Sequence, residues 1–285
     1  VSCDKPKNEE FAHNVKCANN EIVYKTKYSY PIEIESEEWD DAFGCSLVKN
    51  TYSDGYGKLV FDDDITMIPE YAFQDVTALS HIKLPNSVKF IKNRAFAGCD
   101  DLKSIVIPNG VMAIGGNVFL DCISLTSITL PKSLTSINGS IFSGCISLRK
   151  IVISDLSAWC KMDFSQGNPL RSSDIVRLYV NNKELTRLTI PSDVNDVSSY
   201  AFSGYSALTS VTIKSNVTSI GNYAFSDCPN LRGVYCKATT PPTIGINVFG
   251  RNVDFRRIFV PRESLQLYQS QWSYYAEDII AYDFE

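Results

Sequence analysis

The sequence predicts a β-rich solenoid with short helical turns, closed by an N-terminal β cap and a C-terminal helical cap. Three observations carry that prediction: an aromatic recurs at a fixed step, each step holds one alternating apolar run, and a proline follows most of those runs. Phe73, Phe96, Phe119 and Phe142 are separated by three intervals of 23, Phe202 and Phe225 by 23 again, and Phe249 follows after 24. A fixed period of about 20 to 50 residues marks a chain built of stacked supersecondary units.

One copy is anchored by Leu79, Ile82, Leu84, Pro85, Val88, Ile91, Phe96 and Cys99, and the next two repeat it from Leu102 to Cys122 and from Leu125 to Cys145. A later copy runs from Leu208 to Cys228, with Lys214 where the proline stood. The run Leu-x-x-Ile-x-Ile ends in apolar and polar residues in alternation, the pattern of a strand with one buried face. Proline lacks the donor that a ladder needs, so the chain turns at Pro85, Pro108, Pro131 and Pro191. A second short extended piece, such as Leu134 to Ile137, returns on the opposite side. The segment Asn93 to Phe96 has the small-residue and aromatic content of one helical turn. A single unit buries too few side chains to offset the entropy of ordering its backbone, so the units are stable only when stacked.

Between Phe142 and Phe202 the interval is 60, which is no multiple of 23. An insertion at 154–174, containing Trp159, Cys160 and a Gly167-Asn168-Pro169 turn, is expected to bulge from the convex side or an edge. The ends of a stack expose a ladder and an apolar face, so both need caps. The organisation is therefore a tether at 1–14, an N-terminal β cap at 15–57, the repeats at 58–261 and a C-terminal cap at 262–285. Strand-like runs at Glu21 to Lys25, Tyr30 to Ile34 and Lys58 to Phe61 furnish the N-terminal end. Leu265, Tyr268, Trp272 and Tyr275, at spacings of three or four, predict an amphipathic helix at the other.

With 27 basic against 32 acidic residues the net charge is -5, which offers no field to attract nucleic acid. No run approaches the roughly 20 apolar residues that cross a bilayer. The sequence opens Val1-Ser2-Cys3, small and aliphatic residues before a cysteine, followed by a polar run. That pattern suits a processed lipoprotein terminus acylated on Cys3, and it equally suits a chain that simply begins there. Any membrane association is expected only through that anchor.

The strings AFAGCDDLKSIVIP and AFSDCPNL, with Val-x-x-Ile before them, resemble the BspA-like leucine-rich repeats of bacterial surface proteins, over most of Ile65 to Val260. The tail, with YCKATTPP from Tyr235 and a Trp/Tyr-rich helix, is similar to the closing segment of many members. The resemblance implies a bacterial leucine-rich repeat solenoid, secreted or at the cell surface, often as a lipoprotein, with adhesion to host matrix proteins or other bacteria in some members. The insertion and the non-repeating first 57 residues depart from the pattern.

Nine cysteines occur without a CxxC pair, and His13 and His81 are the two histidines, so no metal, cofactor or histidine-based catalysis is expected. Cys99, Cys122, Cys145 and Cys228 share a repeat position with Val76 and Tyr205, which asks for a modest buried side chain rather than a thiol. Cys17 with Cys45, or Cys228 with Cys236, remain candidate disulfides in an oxidising compartment. The acidic runs Glu37 to Asp41 and Asp62 to Asp64 lack the glycine spacing of a calcium loop.

If the apolar strand residues point inward, the positions between them form two outward columns. One is Lys83, Val106, Thr129, Val152, Thr189, Thr212, Tyr235 and Phe259; the other is His81, Ser104, Ser127, Lys150, Arg187, Ser210, Gly233 and Arg257. Aromatics and arginine are enriched where proteins meet, which selects Lys150, Arg187, Tyr235, Arg257 and Phe259 as the candidate partner-binding residues. Two functions follow: docking of a protein partner along the sheet, or carbohydrate capture by a glycan-binding module. The glycan reading wants aromatic platforms flanked by Asp or Asn, while two of the three tryptophans, Trp39 and Trp272, lie in expected caps.

Overall fold

Each regular repeat supplies one longer strand, whose alternating run buries one face, and the turn after it leads into a short return strand. The computed structural model describes residues 15–33, 42–137, 139–172, 175–250 and 255–284. The chain divides into two compact units, one ending at Ser154 and the other beginning at Asp155.

In the first unit, β1 (Glu21–Thr26), β2 (Leu47–Ser53) and β3 (Tyr56–Phe61) precede the repeats, with β1 antiparallel to both β3 and β5. The repeats then give β4 (Met67–Ile68), β5 (Leu79–Lys83), β6 (Phe90–Ile91), β7 (Ser104–Val106), β8 (Ala113–Ile114), β9 (Ser127–Leu130) and β10 (Lys150–Ile153). Strands β5, β7, β9 and β10 pair in parallel, residue for corresponding residue. The short strands β4, β6 and β8 form a second parallel sheet from the returning segments. The expected strand at Tyr30 to Ile34 is not formed over its described part, Tyr30 to Glu33. β2 takes that place; its Leu-Val-Lys-Asn-Thr-Tyr-Ser run is half-buried to exposed throughout, so it lacks the alternation that reveals a strand.

The second unit opens with α1 (Leu156–Lys161), capped by the Asp155 carboxylate, which accepts from the Ala158 amide at 3.0 Å. Next come β11 (Arg177–Val180) and β12 (Lys183–Glu184), an antiparallel hairpin whose turn residues Asn181 and Asn182 both lie at positive φ. The repeats resume with β13 (Arg187–Thr189), β14 (Asp196–Val197), β15 (Ser210–Ile213), β16 (Ser219–Ile220), β17 (Gly233–Cys236), β18 (Thr243–Ile244) and β19 (Arg257–Pro261). Helix α2 (Leu265–Gln271) and β20 (Ile279–Tyr282) close the unit. Strands β13, β15, β17, β19 and β20 make one parallel sheet, and β14, β16 and β18 another.

The core is a set of ladders. Phe73, Phe96, Phe119 and Phe142 stack at 5.2, 5.6 and 6.0 Å between centroids, and Phe202, Phe225 and Phe249 at 5.5 and 5.8 Å, all within 16° of parallel. The segment that carries the phenylalanine is a turn rather than a helix, except at Phe142, which ends a 3-10 helix, Gly139–Phe142. Its backbone alternates: Arg94 and Gly98 adopt positive φ, and so do Tyr71, Asn117, Tyr200 and Tyr223 at equivalent positions. A left-handed residue ends any helix. It also turns alternate amides toward the next repeat: Phe96 donates to Val118 O at 3.0 Å and Gly98 to Leu120 O at 2.8 Å, while Phe119 and Asp121 donate to Ile141 O and Ser143 O.

The second left-handed position alternates Asp75, Gly98, Asp121, Gly144. A Cβ added to Gly144 would lie 1.9 Å from Asp121 Oδ1, so each aspartate side chain fills the space its glycine neighbour leaves.

The cysteine position also does more than fill volume. Cys99, Cys122, Cys145 and Cys228 donate to the carbonyls of Phe73, Phe96, Phe119 and Phe202 at 3.0–3.1 Å. Burial pushes the Cys99 thiol up and holds Cys228 at about 12, so both remain protonated donors. All eight cysteines among the described residues are free thiols, including Cys17, Cys45, Cys228 and Cys236.

The insertion carries core residues rather than a surface appendage. Trp159, Cys160, Met162, Phe164 and Leu170 are buried. The Trp159 indole donates to Ala201 O at 2.9 Å, and the Asn168 amide donates to Tyr200 O and Ala201 O. In a regular copy the carbonyl at the Ala201 position receives an amide from the preceding repeat, as Ala224 O receives Phe202 N. Side chains of the insertion thus satisfy an end of the ladder that would otherwise be buried without donors. At the other end Phe249 N donates to the Tyr275 hydroxyl at 3.2 Å, and Trp272 and Tyr275 pack on the Phe249 ring. The helix predicted through Tyr275 stops at Gln271; Tyr275 sits in a 3-10 turn, and β20 then adds a strand parallel to β19.

Candidate functional site

The outward columns of the second unit are set by strand register. Arg187, Ser210, Gly233 and Arg257 lie side by side on successive strands, and Thr189, Thr212, Tyr235 and Phe259 form the adjacent row. The Tyr235 and Phe259 rings stack 4.6 Å apart at 7°, and Tyr282 meets both edge-on. Beside them Arg262 and Asp283 form a bidentate pair at 3.0 and 2.7 Å.

A depression of about 480 Å³ occupies this face, lined by Arg187, Thr189, Thr209, Ser210, Arg232, Gly233 and Tyr235, among others. No carboxylate lines it. Gly233 forms part of its floor because the Tyr235 ring lies over the bare Cα; an added Cβ would fall 2.9 Å from that ring. Arg232 and Arg257 each spend one N–H on a backbone carbonyl, of Pro229 and Arg256 respectively, which fixes the side chains while leaving donors outward. Arg187 is exposed and has no partner among the described residues.

Four of the five sequence-selected residues, Arg187, Tyr235, Arg257 and Phe259, therefore share one sheet. Lys150 belongs to the first unit, on β10 beside Ser127, Ser104 and His81. Burial, and then the charges of Lys25 and Lys103, push the His81 imidazole down to about 4, so it is neutral in the fold near pH 7. Cys3 and Glu37 to Asp41 lie outside the described residues. The Asp62–Asp64 carboxylates accept from Ser46 N, Asp64 N and the Asn19 amide, as turn residues do. Among the described residues no three His, Cys, Asp or Glu side chains gather as a metal site, and no helix is long and apolar enough to cross a membrane.

Sequence reasoning did not select Arg232 or Tyr282. Arg232 precedes its strand, where alternation no longer tells inside from outside. Tyr282 was hidden because β20 lacks the repeat motif, although Ile279-Ile280-Ala281-Tyr282 is a short apolar run of the kind that forms strands.

A parallel strand, a turn that most copies make at a proline, a short return strand and a ladder of stacked phenylalanines, recurring along the chain, define a leucine-rich repeat protein, β-rich with few helices. The sequence matches the BspA type leucine rich repeat region in six copies, over residues 51–169 and 176–277, and the chain belongs to that family. Among solved structures it is similar to a Treponema pallidum leucine rich repeat protein, with 25% identity over 66% of this chain and 78% of that one and a TM-score of 0.37. A leucine rich cell surface protein of Faecalibacterium prausnitzii is 23% identical over 78% of this chain and 70% of its own, with a TM-score of 0.37. A leucine-rich repeat protein of Bacteroides ovatus is 23% identical over 78% and 76%, with a TM-score of 0.31. No curated protein matches the sequence. Nothing among the described residues points to an enzyme.

Proposed function

We propose that this chain is a non-catalytic, secreted or cell-surface repeat protein that binds a protein partner, host matrix or cell-surface in origin, through the exposed face of its repeat sheet. Residues 58–261 are read as the repeat solenoid, 15–57 and 262–285 as its caps, and 1–14 as a tether held to the outer membrane through an acylated Cys3. The observation that carries the binding role is the face of the second unit, where unpaired arginine, free hydroxyls and Tyr235 line one depression without a carboxylate, and Phe259 stacks on Tyr235 beside it. Arginine and tyrosine are enriched among the residues that carry most of the energy of protein contacts, since each combines large area with directed donors. Family membership supports the surface role, since leucine-rich repeats generally serve binding.

A second reading, carbohydrate capture, draws on the stacked Tyr235 and Phe259 rings beside the Arg262–Asp283 pair, aromatic surface next to polar groups. Titration of the protein against purified host matrix proteins and a glycan array separates the two. The partner found is expected to bind Arg187→Ala and Tyr235→Ala at least about tenfold more weakly, roughly 1.4 kcal/mol each, with the melting temperature of Arg187→Ala unchanged. Wild-type affinity in both variants would refute the assignment of this face.

A further inference from the structure

We infer that the partner segment received by this face is acidic and extended, with carboxylates four residues apart seated on Arg187 and Arg257; this rests on the protein-binding reading above. The row Arg187, Ser210, Gly233, Arg257 spans three strand-to-strand steps. At about 4.8 Å per step the two arginines stand roughly 14 Å apart. An extended chain rises about 3.4 Å per residue and repeats its side-chain direction every second residue, so positions i and i+4 fall on one side at roughly 14 Å. A segment crossing the strands therefore presents its first and fifth side chains to the two ends of the row, over the low floor of Ser210 and Gly233.

Charge on this face runs one way. Arg187, Arg232 and Arg257 surround the floor, and the lining of the depression contains no acidic residue. Three carboxylates elsewhere in the unit are already engaged: Glu184 with Arg177, Asp283 with Arg262, and Asp193 with Lys161. Guanidinium forks take carboxylates in bidentate fashion, and Thr189, Ser210 and Thr212 offer hydroxyls to the intervening backbone. The stacked Tyr235 and Phe259 rings flank this track and suit the apolar side chains of the same segment.

The test uses the full chain and a labelled twelve-residue peptide alternating Glu and Ser, its Gln-for-Glu counterpart, and a heparin oligosaccharide. Fluorescence anisotropy at low salt should show the Glu peptide bound and the Gln peptide at least tenfold weaker. Arg187→Gln and Arg257→Gln should each weaken the Glu peptide severalfold, with Lys214→Gln unchanged, and raised NaCl should release it. Equal binding of the two peptides, or arginine-dependent binding of heparin alone, overturns the inference. If a matrix protein binds in a Tyr235-dependent way while the Glu peptide does not, the acidic inference fails and the face assignment stands. If neither binding depends on these residues, both fail.

Discussion

Phe119→Ala is expected to destabilise the first unit by about 3–5 kcal/mol, the range for removing a buried aromatic from a packed core. Phe119 is fully buried between Phe96 and Phe142, with ring centroids 5.6 and 6.0 Å away. Its loss removes one rung from a ladder whose neighbours are held by backbone hydrogen bonds on both sides, so the repeats cannot close over the gap. The resulting cavity adds to the lost transfer free energy. Ile146, by contrast, is 72% exposed on the same unit, and Ile146→Ala should stay within about 0.5 kcal/mol of wild type. Urea denaturation of the two variants gives the comparison; equal stability would mean that the ladder contributes little.

Trp159→Ala should produce a loss of similar size, about 3–5 kcal/mol, in the second unit. The indole is 1% exposed, packs on Phe164 at 5.0 Å and donates to Ala201 O. Two effects are superimposed there, and Trp159→Phe separates them. The phenyl ring restores much of the packing but leaves the carbonyl with the Asn168 amide as its side-chain donor, so the cost should fall to about 1–2 kcal/mol. If both variants behave as wild type, the insertion is an appendage after all. Melting temperatures followed by circular dichroism would show it.

The repeat strands were legible because the alternation in Leu-x-x-Ile-x-Ile and the step of 23 reflect the same fact: each copy meets its neighbour at equivalent atoms. Pro85, Pro108 and Pro131 marked turns for a local steric reason, and Lys214 keeps the same turn, with Val217 N donating to Lys214 O. The segment around Phe96 was misread as a helical turn because small residues and an aromatic do not disclose a left-handed Arg94; only the hydrogen bonds to the following repeat require it. The alternation of Asp75, Gly98, Asp121 and Gly144 was a visible signal of it. Buried roles of Trp159 and Asn168 were not legible, since they depend on which carbonyls lack donors in the assembled unit. The columns of the candidate site were legible from period-two alternation. Arg232 and Tyr282 were not, because one precedes its strand and the other sits on a strand outside the repeat.

Hydrogen exchange of the turn amides tests the central claim, that successive copies are bonded together through their turns as well as their strands. Gly98 and Asp121 lie outside any strand, and Asp121 is exposed, yet their amides donate to Leu120 O and Ser143 O at 2.8 Å. Their exchange should be slowed at least about 1,000-fold relative to an unstructured chain, alongside Phe96 and Phe119. Exchange at Gly98 and Asp121 as fast as at the Asp54-Gly55 turn would contradict the account.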